Sequence, residues 1–598
     1  MASRVQPVSV EYQVDPMDVA VVQHKVLYVC DLMGTVLKYS GQCFILMECN
    51  DFSPGVFDAE GRLLSVKSWM PLHVAVAKSQ VEPLVKKFKG RIYPGDVFLA
   101  NDPYQAGGSH LPDWSIIRPV FYEDELMFFT LLKGHQQDTG GAFPGGYFPH
   151  GYDIHSEGLR IDYTKIFERG ERQPVYDFIL NNVRWPEVVA MDNLAMMGAT
   201  KRGEEELVRL CEKLGGEGVK RCVTALQDSS EQAMRAEISK MPDGAWYGES
   251  ACDWDGTTDQ PVWVRLNLTI RGDEMVVDWS ESDPQVDFIN TPTAVTHACT
   301  YIPILMSVDP DIAFNAGSCK PIHIIAPEGT VVNPRYPVTI GGCNCHLGDE
   351  LIEAVQMALG KAMPERVSAM WAPHVSFVTF GDDAREVNPD TGACRKYYFT
   401  FFGPDGGSGA IWGYDGWPHV TPPIIAGGVM KNTVEITEIM TPWRVVHYSL
   451  LPDTAGAGRW RGGVGTRYAM VNGYGGKVYV NTGTSSGEKF SPFGQAGGKG
   501  APRHELYFER NGERIPFRTM SQVLYQKGDV LVAKCGGGGG VGDPLERPVE
   551  RVQEDVLYEL VSVEAAREDY GVVIDPQTLQ VDAEATEALR GERKAQAK

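Results

Sequence analysis

Several familiar signatures are missing from this 598-residue chain, and each absence removes a class of function. It has no G-x-x-x-x-G-K-S/T loop, which excludes the phosphate-cradling turn of the P-loop nucleotide enzymes. VNGYGGKVYV and GQAGGKGAPR come near that pattern without matching it. GGSGA at 406–410 sets a serine between glycines without the G-x-S-x-G spacing of a nucleophile elbow. None of the 12 cysteines forms a CxxC pair, which argues against zinc ribbons and thioredoxin-like motifs. The close pair Cys343 and Cys345 reads as buried free thiols. Positive charge is scarce as well: 55 Lys and Arg stand against 78 Asp and Glu, a formal charge of −23. Such a surface repels phosphates, which excludes nucleic acid and disfavours anionic membranes. No apolar run approaches the roughly 18 to 20 residues needed to span a bilayer. The opening MASRVQPVSVEYQVDP lacks the apolar core of a signal peptide. The expectation is a soluble, cytoplasmic protein.

What is present is ample apolar content, 43% of the chain, enough for several cores. A helix is expected from Asp15 to Ser40, capped by Asp15, opened by Pro16 and striped by Val19, Val22, Val26, Val29, Met33 and Val36. FILMECNDFSPGVFDAEGRLLSV, residues 44 to 66, reads as a β-hairpin around DAEG. WSIIRPVFY and LMFFTLLKG read as a second hairpin around EDE, after the short strand VFLA. Residues 185 to 240 read as helical. VWVRLNLTI, EMVVDW, CKPIHII and YYFTFF suggest sheets, interrupted by a helix at 350–363. Near the end, Ser562 caps VEAAREDY and Gly571 stops it, while 583–598 is expected to fray. The fold class is α+β, multi-domain, with mixed sheets, a β-rich C-terminal half and C-terminal helices. The expected segments are 1–184, 185–245, 246–443, 444–545 and 546–598.

One constellation can carry chemistry. NDPYQAGGSHLPDWS holds His110 and Asp113 three apart, and GHQQDTGG holds His135. Imidazole with carboxylate suits Zn, Mn or Fe(II). If 114–122 and 126–134 pair as a hairpin, the two ends bearing these residues meet. Gly107, Gly108, Gly134, Gly140 and Gly141 surround them and allow close backbone approach. Asp51 and Asp138 are candidate further ligands. His73, in MPLHVAV, reads as structural, and His150 and His155 as turn or substrate-facing residues. Phe143, Tyr147 and Phe148 lie beside the metal loop and are candidates for a substrate pocket. Trp412, Tyr414 and Trp417 offer stacking or packing surfaces. The glycine run in KCGGGGGVGDP, 534–544, reads as a close-packed turn rather than an anion nest.

Taken in order, NDPYQAGGSHLPDWS, GHQQDTGGAFPGG, EGLRI, FDAEGRLL, PEGTVVNP, GGSGA, GRWRGGVGTRY and GGGGGVGDPLERP resemble the hydantoinase B/oxoprolinase family over nearly the whole chain. Relatives in that family include 5-oxoprolinase, N-methylhydantoinase, caprolactamase and the acetone and acetophenone carboxylases. The resemblance implies a partner, a hydantoinase A-type ATPase subunit that binds ATP and Mg, in a hetero-tetramer or larger assembly. It implies a divalent metal, Zn, Mn or Fe, on His110, Asp113 and His135, with Asp51 matching an upstream aspartate ligand. The activity implied is ATP-dependent hydrolysis of a cyclic amide, such as a lactam, hydantoin or oxoproline. The alternative is ATP- and bicarbonate-dependent carboxylation of a ketone. Many of the family's sequences read GHHxDIGG, and here Gln136 replaces the second histidine, so altered hydrogen bonding behind the ligand is expected.

Overall fold

The computed structural model describes residues 14–67, 69–425, 429–483 and 486–596. The chain forms two compact units, each assembled from separated stretches. Unit 1 comprises residues 1–245, 267–344 and 427–430, and unit 2 comprises residues 246–266, 345–426 and 431–598. The architecture is α+β, with mixed sheets and helices at the C-terminus.

Unit 1 is built on seven strands: β1 (Phe52–Asp58), β2 (Leu63–Val66), β3 (Val97–Ala100), β4 (Asp113–Tyr122), β5 (Glu125–His135), β6 (Thr164–Glu168) and β7 (Glu171–Arg172). They hydrogen-bond in the order β2-β1-β5-β4-β3-β6-β7, every pair antiparallel. The β4–β5 hairpin turns on Glu123 and Asp124, both at positive φ, which matches the right-handed twist of its strands. Successive side chains alternate between faces. Phe57, Ile117, Phe129 and Leu131 share one face and join Leu63, Ala77, Val81 and Phe98 in an apolar core. The other face carries helices α1 (Pro16–Ser40) and α3 (Pro186–Leu214), while α2 (Pro71–Lys78) lies nearer the core face. Elsewhere in the unit, Asn267–Arg271 pairs antiparallel with Glu274–Asp278, which pairs in parallel with Ile322–Ile325.

Asp15 caps α1 as expected, its carboxylate accepting from Met17 N at 2.9 Å, and Val22, Val26, Val29, Cys30, Met33, Gly34 and Leu37 form its buried stripe. By length and composition this helix reaches the threshold for crossing a membrane, where the sequence reading expected no such run. The reason is that its apolar residues are enough to face a core and few charges separate them. A second correction concerns Phe44–Met47, which is a single helical turn, so the first hairpin begins only at Phe52. Four apolar residues in a row do not distinguish a buried turn of helix from a strand.

Unit 2 holds α4 (Leu347–Ala362), a four-stranded sheet that includes Phe377–Val387, and a five-stranded sheet that includes Thr466–Asn472. Its C-terminal helices close on a small core of Val552, Val556, Ala566 and Tyr570. Ser562 caps Val563–Tyr570 through Ala565 N, and Gly571 ends it at φ 62°. The last segment does not fray at once, because Ala583–Gln596 is helical. The glycine run is a close-packed turn: Gly537, Gly538, Gly539 and Gly540 each donate their N–H to a carbonyl, of Thr454, Gly463, Met370 and Lys499. No amide in that stretch is left to hold a phosphate.

Candidate metal centre

The sheet face that is apolar at Phe129 and Leu131 turns polar at its end. Continuing the same two-residue step along β5 gives Lys133 and His135, and along β4 gives Ser115 and Asp113. Asp113 pairs directly with His135 across the hairpin. On the other side of β5, Phe52 pairs with Gly134, and His135 N donates to Asp51 O at 3.1 Å. Asp51, His135 and Asp113 are therefore neighbours across three strands. His110 enters from the turn before β4, where Asp113 N donates to His110 O at 3.1 Å.

The side chains converge. His110 Nε2 lies 3.0 Å and His135 Nδ1 3.2 Å from Asp113 Oδ1. Asp51 Oδ2 lies 3.9 Å from His135 Nδ1. His110, Asp113 and His135 are buried, and each offers a donor atom within 4.8 Å of the others. The fit to a cation is electrostatic as well as geometric. His110 Nδ1 bonds Gly341 O at 3.0 Å, so it carries the ring proton and leaves a lone pair on Nε2. That lone pair faces a carboxylate oxygen, which is repulsive unless a proton or a metal ion sits between them. His110 Nε2, His135 Nε2 and Asp51 Oδ1 have no hydrogen-bond partner, a costly state for buried atoms. Burial drives the Asp51 carboxyl up to about 7; Asp113 adds to that, while His135 and Lys133 oppose it. Burial also raises Asp113, but the neighbouring His110, His73 and His135 rings outweigh it and hold the group well below the usual range.

A second layer fixes this arrangement. Glu157 is fully buried and accepts from Ile340 N and from Gly341 N at 2.7 Å, so it orients the peptide that orients His110. Gly141 lets the 138–146 loop approach Glu157: it sits at φ 81°, and a Cβ there would stand 2.6 Å from the Glu157 carbonyl carbon. Ser109 Oγ donates to Asp113 Oδ2 at 2.5 Å.

Several sequence expectations change here. His73 does not merely fill the core: its Nε2 is 2.9 Å from Asp113 Oδ2. Its apolar setting, which suggested a structural role, is the inner face of α2. Lys133 was not singled out, although its in-phase spacing with His135 was a usable signal; it is buried, its Nζ donates to Asp113 O at 3.4 Å, and burial lowers its pKa. Asp138 is not free to ligate, because its oxygens accept from Gly140 N, Gly145 N, Arg184 N and Arg184 Nη1. Gln136 does not stand behind His135. It points to the opposite face, where Nε2 donates to Gly134 O at 3.1 Å and meets Met196 Sδ at 3.5 Å. The Tyr147 ring lies 5.5 Å from His110 and stacks at 6.2 Å on His135, centroid to centroid. Phe143 and Phe148 stack on each other at 5.0 Å. His150 and His155 are exposed, and His155 bonds the Tyr336 hydroxyl. In unit 2, Ser408 Oγ accepts from Trp417 N, and Trp412 packs on Trp460, while Tyr414 and Trp417 are exposed.

Comparison with known proteins gives a consistent result. The family model described as hydantoinase B/oxoprolinase matches residues 15–544. A caprolactamase subunit beta of Pseudomonas jessenii is 33% identical over 96% of this chain and 99% of its own. A solved structure of the ATP-dependent caprolactamase from the same species superposes with a TM-score of 0.88 at 32% identity, covering 97% of this chain and all of that one. A 5-oxoprolinase of Dictyostelium discoideum is 26% identical over 89% of this chain but only 41% of its own length. A nucleotide-free acetone carboxylase structure superposes at 0.86 with 18% identity, over 98% of this chain and 83% of that one, a likeness of fold alone.

Proposed function

This chain belongs to the hydantoinase B/oxoprolinase family, and on that basis we propose that it is the metal-holding subunit of an ATP-dependent enzyme that hydrolyses a cyclic amide. The observation that carries the reading is the convergence of two imidazoles and a carboxylate at one buried point, in a chain one-third identical end to end to a caprolactamase subunit. His110, Asp113 and His135 hold a divalent ion of the Zn, Mn or Fe class, with Asp51 as a fourth donor. Such an ion supplies Lewis acidity towards a carbonyl oxygen. The chain's own residues do the rest. Gly341 and Glu157 keep the His110 lone pair aimed inward. His73 and Ser109 hold Asp113 in one orientation. Tyr147 walls the imidazoles and limits access of bulk water. Phe143, Tyr147 and Phe148 offer flat apolar surfaces to a lactam ring.

An unstrained amide resists water, and ATP supplies the activation. This chain has no P-loop, and the amides of its glycine run are committed to carbonyls and, at Gly536, to the His504 ring, so nucleotide and Mg fall to a second polypeptide of the hydantoinase A type. Two comparisons support that division. The caprolactamase relative is named as one subunit, and the 5-oxoprolinase relative is more than twice as long as the stretch matched here. A cytoplasmic hetero-tetramer or larger assembly completes the proposal.

The test combines the chain with its ATPase partner, ATP and either lactams, hydantoins and 5-oxoproline or acetone and acetophenone with labelled bicarbonate. Ring opening without label is expected; label in a stable carboxylate product would replace hydrolysis by ketone carboxylation. His110→Ala and His135→Ala are expected to lower turnover at least about 100-fold with assembly intact. Unchanged turnover would leave the chain a non-catalytic subunit.

A further inference from the structure

Unit 2 encloses a cavity of about 210 Å3 that the proposed function does not use. Trp263, Phe490 and Phe493 supply aromatic walls, and Met357 and Met370 supply polarisable ones. Trp263 and Phe490 meet at 72° with ring centroids 5.2 Å apart, so they form a corner rather than a stack. Glu353 also lines the cavity. It is 6% exposed, and Ser250 Oγ donates to its Oε2 at 2.6 Å. That is its one hydrogen bond among the described residues, so Oε1 has an acceptor's capacity to spare. Among the described residues, no lysine, arginine or histidine lines the cavity.

The surrounding chain builds this cavity in advance. Glu353 and Met357 stand four residues apart on α4 and so share one side of the helix. Gly248 lets the strand Gly244–Cys252, which carries Ser250, lie against that helix: a Cβ there would collide with Ala354 O. The Asp253 carboxylate accepts from Glu488 N, Lys489 N and Phe490 N at 2.8, 2.9 and 3.1 Å, which fixes the loop presenting Phe490. Met370 N donates to Phe493 O at 3.3 Å. Arg265 lies 5.1 Å over the Trp263 ring and braces it without lining the cavity.

A buried carboxyl among apolar walls is costly when charged, and nothing in the lining offsets that charge. An ammonium group would, through a charge-assisted hydrogen bond to Oε1. Angled aromatic faces attract the same cation, as aromatic cages do. Anions find no partner, because the charged side chains of the lining are Glu249 and Glu353. The volume is about seven times one water's share of the liquid, room for a short alkyl chain or a single ring. We infer that this cavity binds a small apolar primary ammonium ion, its charge on Glu353 and its carbon chain between Trp263, Phe490 and Met357. Two sources carry that chemistry: a free amine, or the amino acid released when a lactam ring opens, the second resting on the function proposed above. A lactam itself is neutral and does not match the charge.

The test is isothermal titration calorimetry of the full chain with hexylamine, hexan-1-ol and hexanoate. Hexylamine is expected to bind at least about tenfold more tightly than hexan-1-ol, and hexanoate is expected to give no binding heat. Glu353→Gln keeps an acceptor for Ser250 and removes the charge. It is expected to weaken hexylamine at least about tenfold and to leave hexan-1-ol unchanged. No binding heat with hexylamine up to roughly 10 mM, or equal affinities for amine and alcohol, would overturn the proposal. That comparison uses the wild type, so it decides even if the variant folds poorly. Equal hexylamine affinity in wild type and Glu353→Gln would overturn it too. 6-Aminohexanoate separates the sources: affinity within about tenfold of hexylamine assigns the site to the ring-opened amino acid, and weaker affinity assigns it to the free amine. Failure of the lactam reading removes only the first source and leaves the hexylamine result standing.

Discussion

Gln136 stands one residue beyond the strand that presents His135, and that single step decides what it can touch. Because side chains alternate, its amide reaches Gly134 O and Met196 on the helix-covered face rather than the imidazole. Restoring the family's common residue by Gln136→His is therefore expected to leave metal affinity unchanged and to cost about 1 kcal/mol of stability, since a buried amide partner is lost. Equilibrium dialysis with Zn and a urea melt measure the two quantities; a large change in affinity would place residue 136 behind the ligand after all. Glu157 gives a pH prediction. Burial, opposed by the Gly341 and Ile340 amides, lifts its carboxyl to about 8 from 4.5. A carboxyl raised on folding makes the folded state hold its proton while the unfolded state releases it. Its contribution is thus intact below pH about 4.5 and lost progressively as pH rises towards 8. Glu157→Gln keeps an acceptor for the two amides and has no proton to lose. The variant is expected to gain on the wild type by a few kcal/mol, roughly, between pH 5 and 8. Denaturation midpoints that run parallel across that range would show Glu157 to be ionised throughout.

At the scale of elements, the centre depends on where three strands end and on one tight loop. The strand ends put Asp51, His135 and Asp113 in a row, and the 101–112 loop delivers His110. Gly108 makes that loop possible: a Cβ there would stand 2.1 Å from Asn101 O, which is backbone and has little room to yield. Asn101 is itself fixed, donating to Leu111 O and Leu159 O and accepting from Ile161 N. Gly108→Ala is expected to cost at least about 1–3 kcal/mol and to weaken metal binding by shifting His110. Chemical denaturation and metal retention on dialysis report these separately. A variant with wild-type midpoint and metal content would mean the loop does not position His110. This dependence was only half legible beforehand. The crowd of glycines marked close approach, but which backbone each one meets follows from loops brought together by folding.

For the whole molecule, a metal that binds only the folded chain adds stability by mass action, about 2.7 kcal/mol when free metal is a hundred times its Kd. Chelation is expected to lower Tm in scanning calorimetry, with recovery on adding back Zn or Mn. The drop should be smaller in the His110→Ala/His135→Ala chain, which has already lost the site. An equal drop in both proteins would remove the metal centre from the account.

The sequence by itself determined the α+β class, the β4–β5 hairpin, the capped helix at Pro16 and the trio His110, Asp113 and His135. Those features are local: a two-residue turn brings the ends of adjacent strands together, and an aspartate caps the amides that follow it. Only the tertiary structure decided that His73 belongs at the centre, that Asp138 is taken up by Arg184 and its own loop, and that Glu157 supports His110 through Gly341. Each of these contacts joins residues set by how helices and loops pack on the sheet. Pairing across such distances is fixed by burial and shape, which leave no spacing to read along the chain.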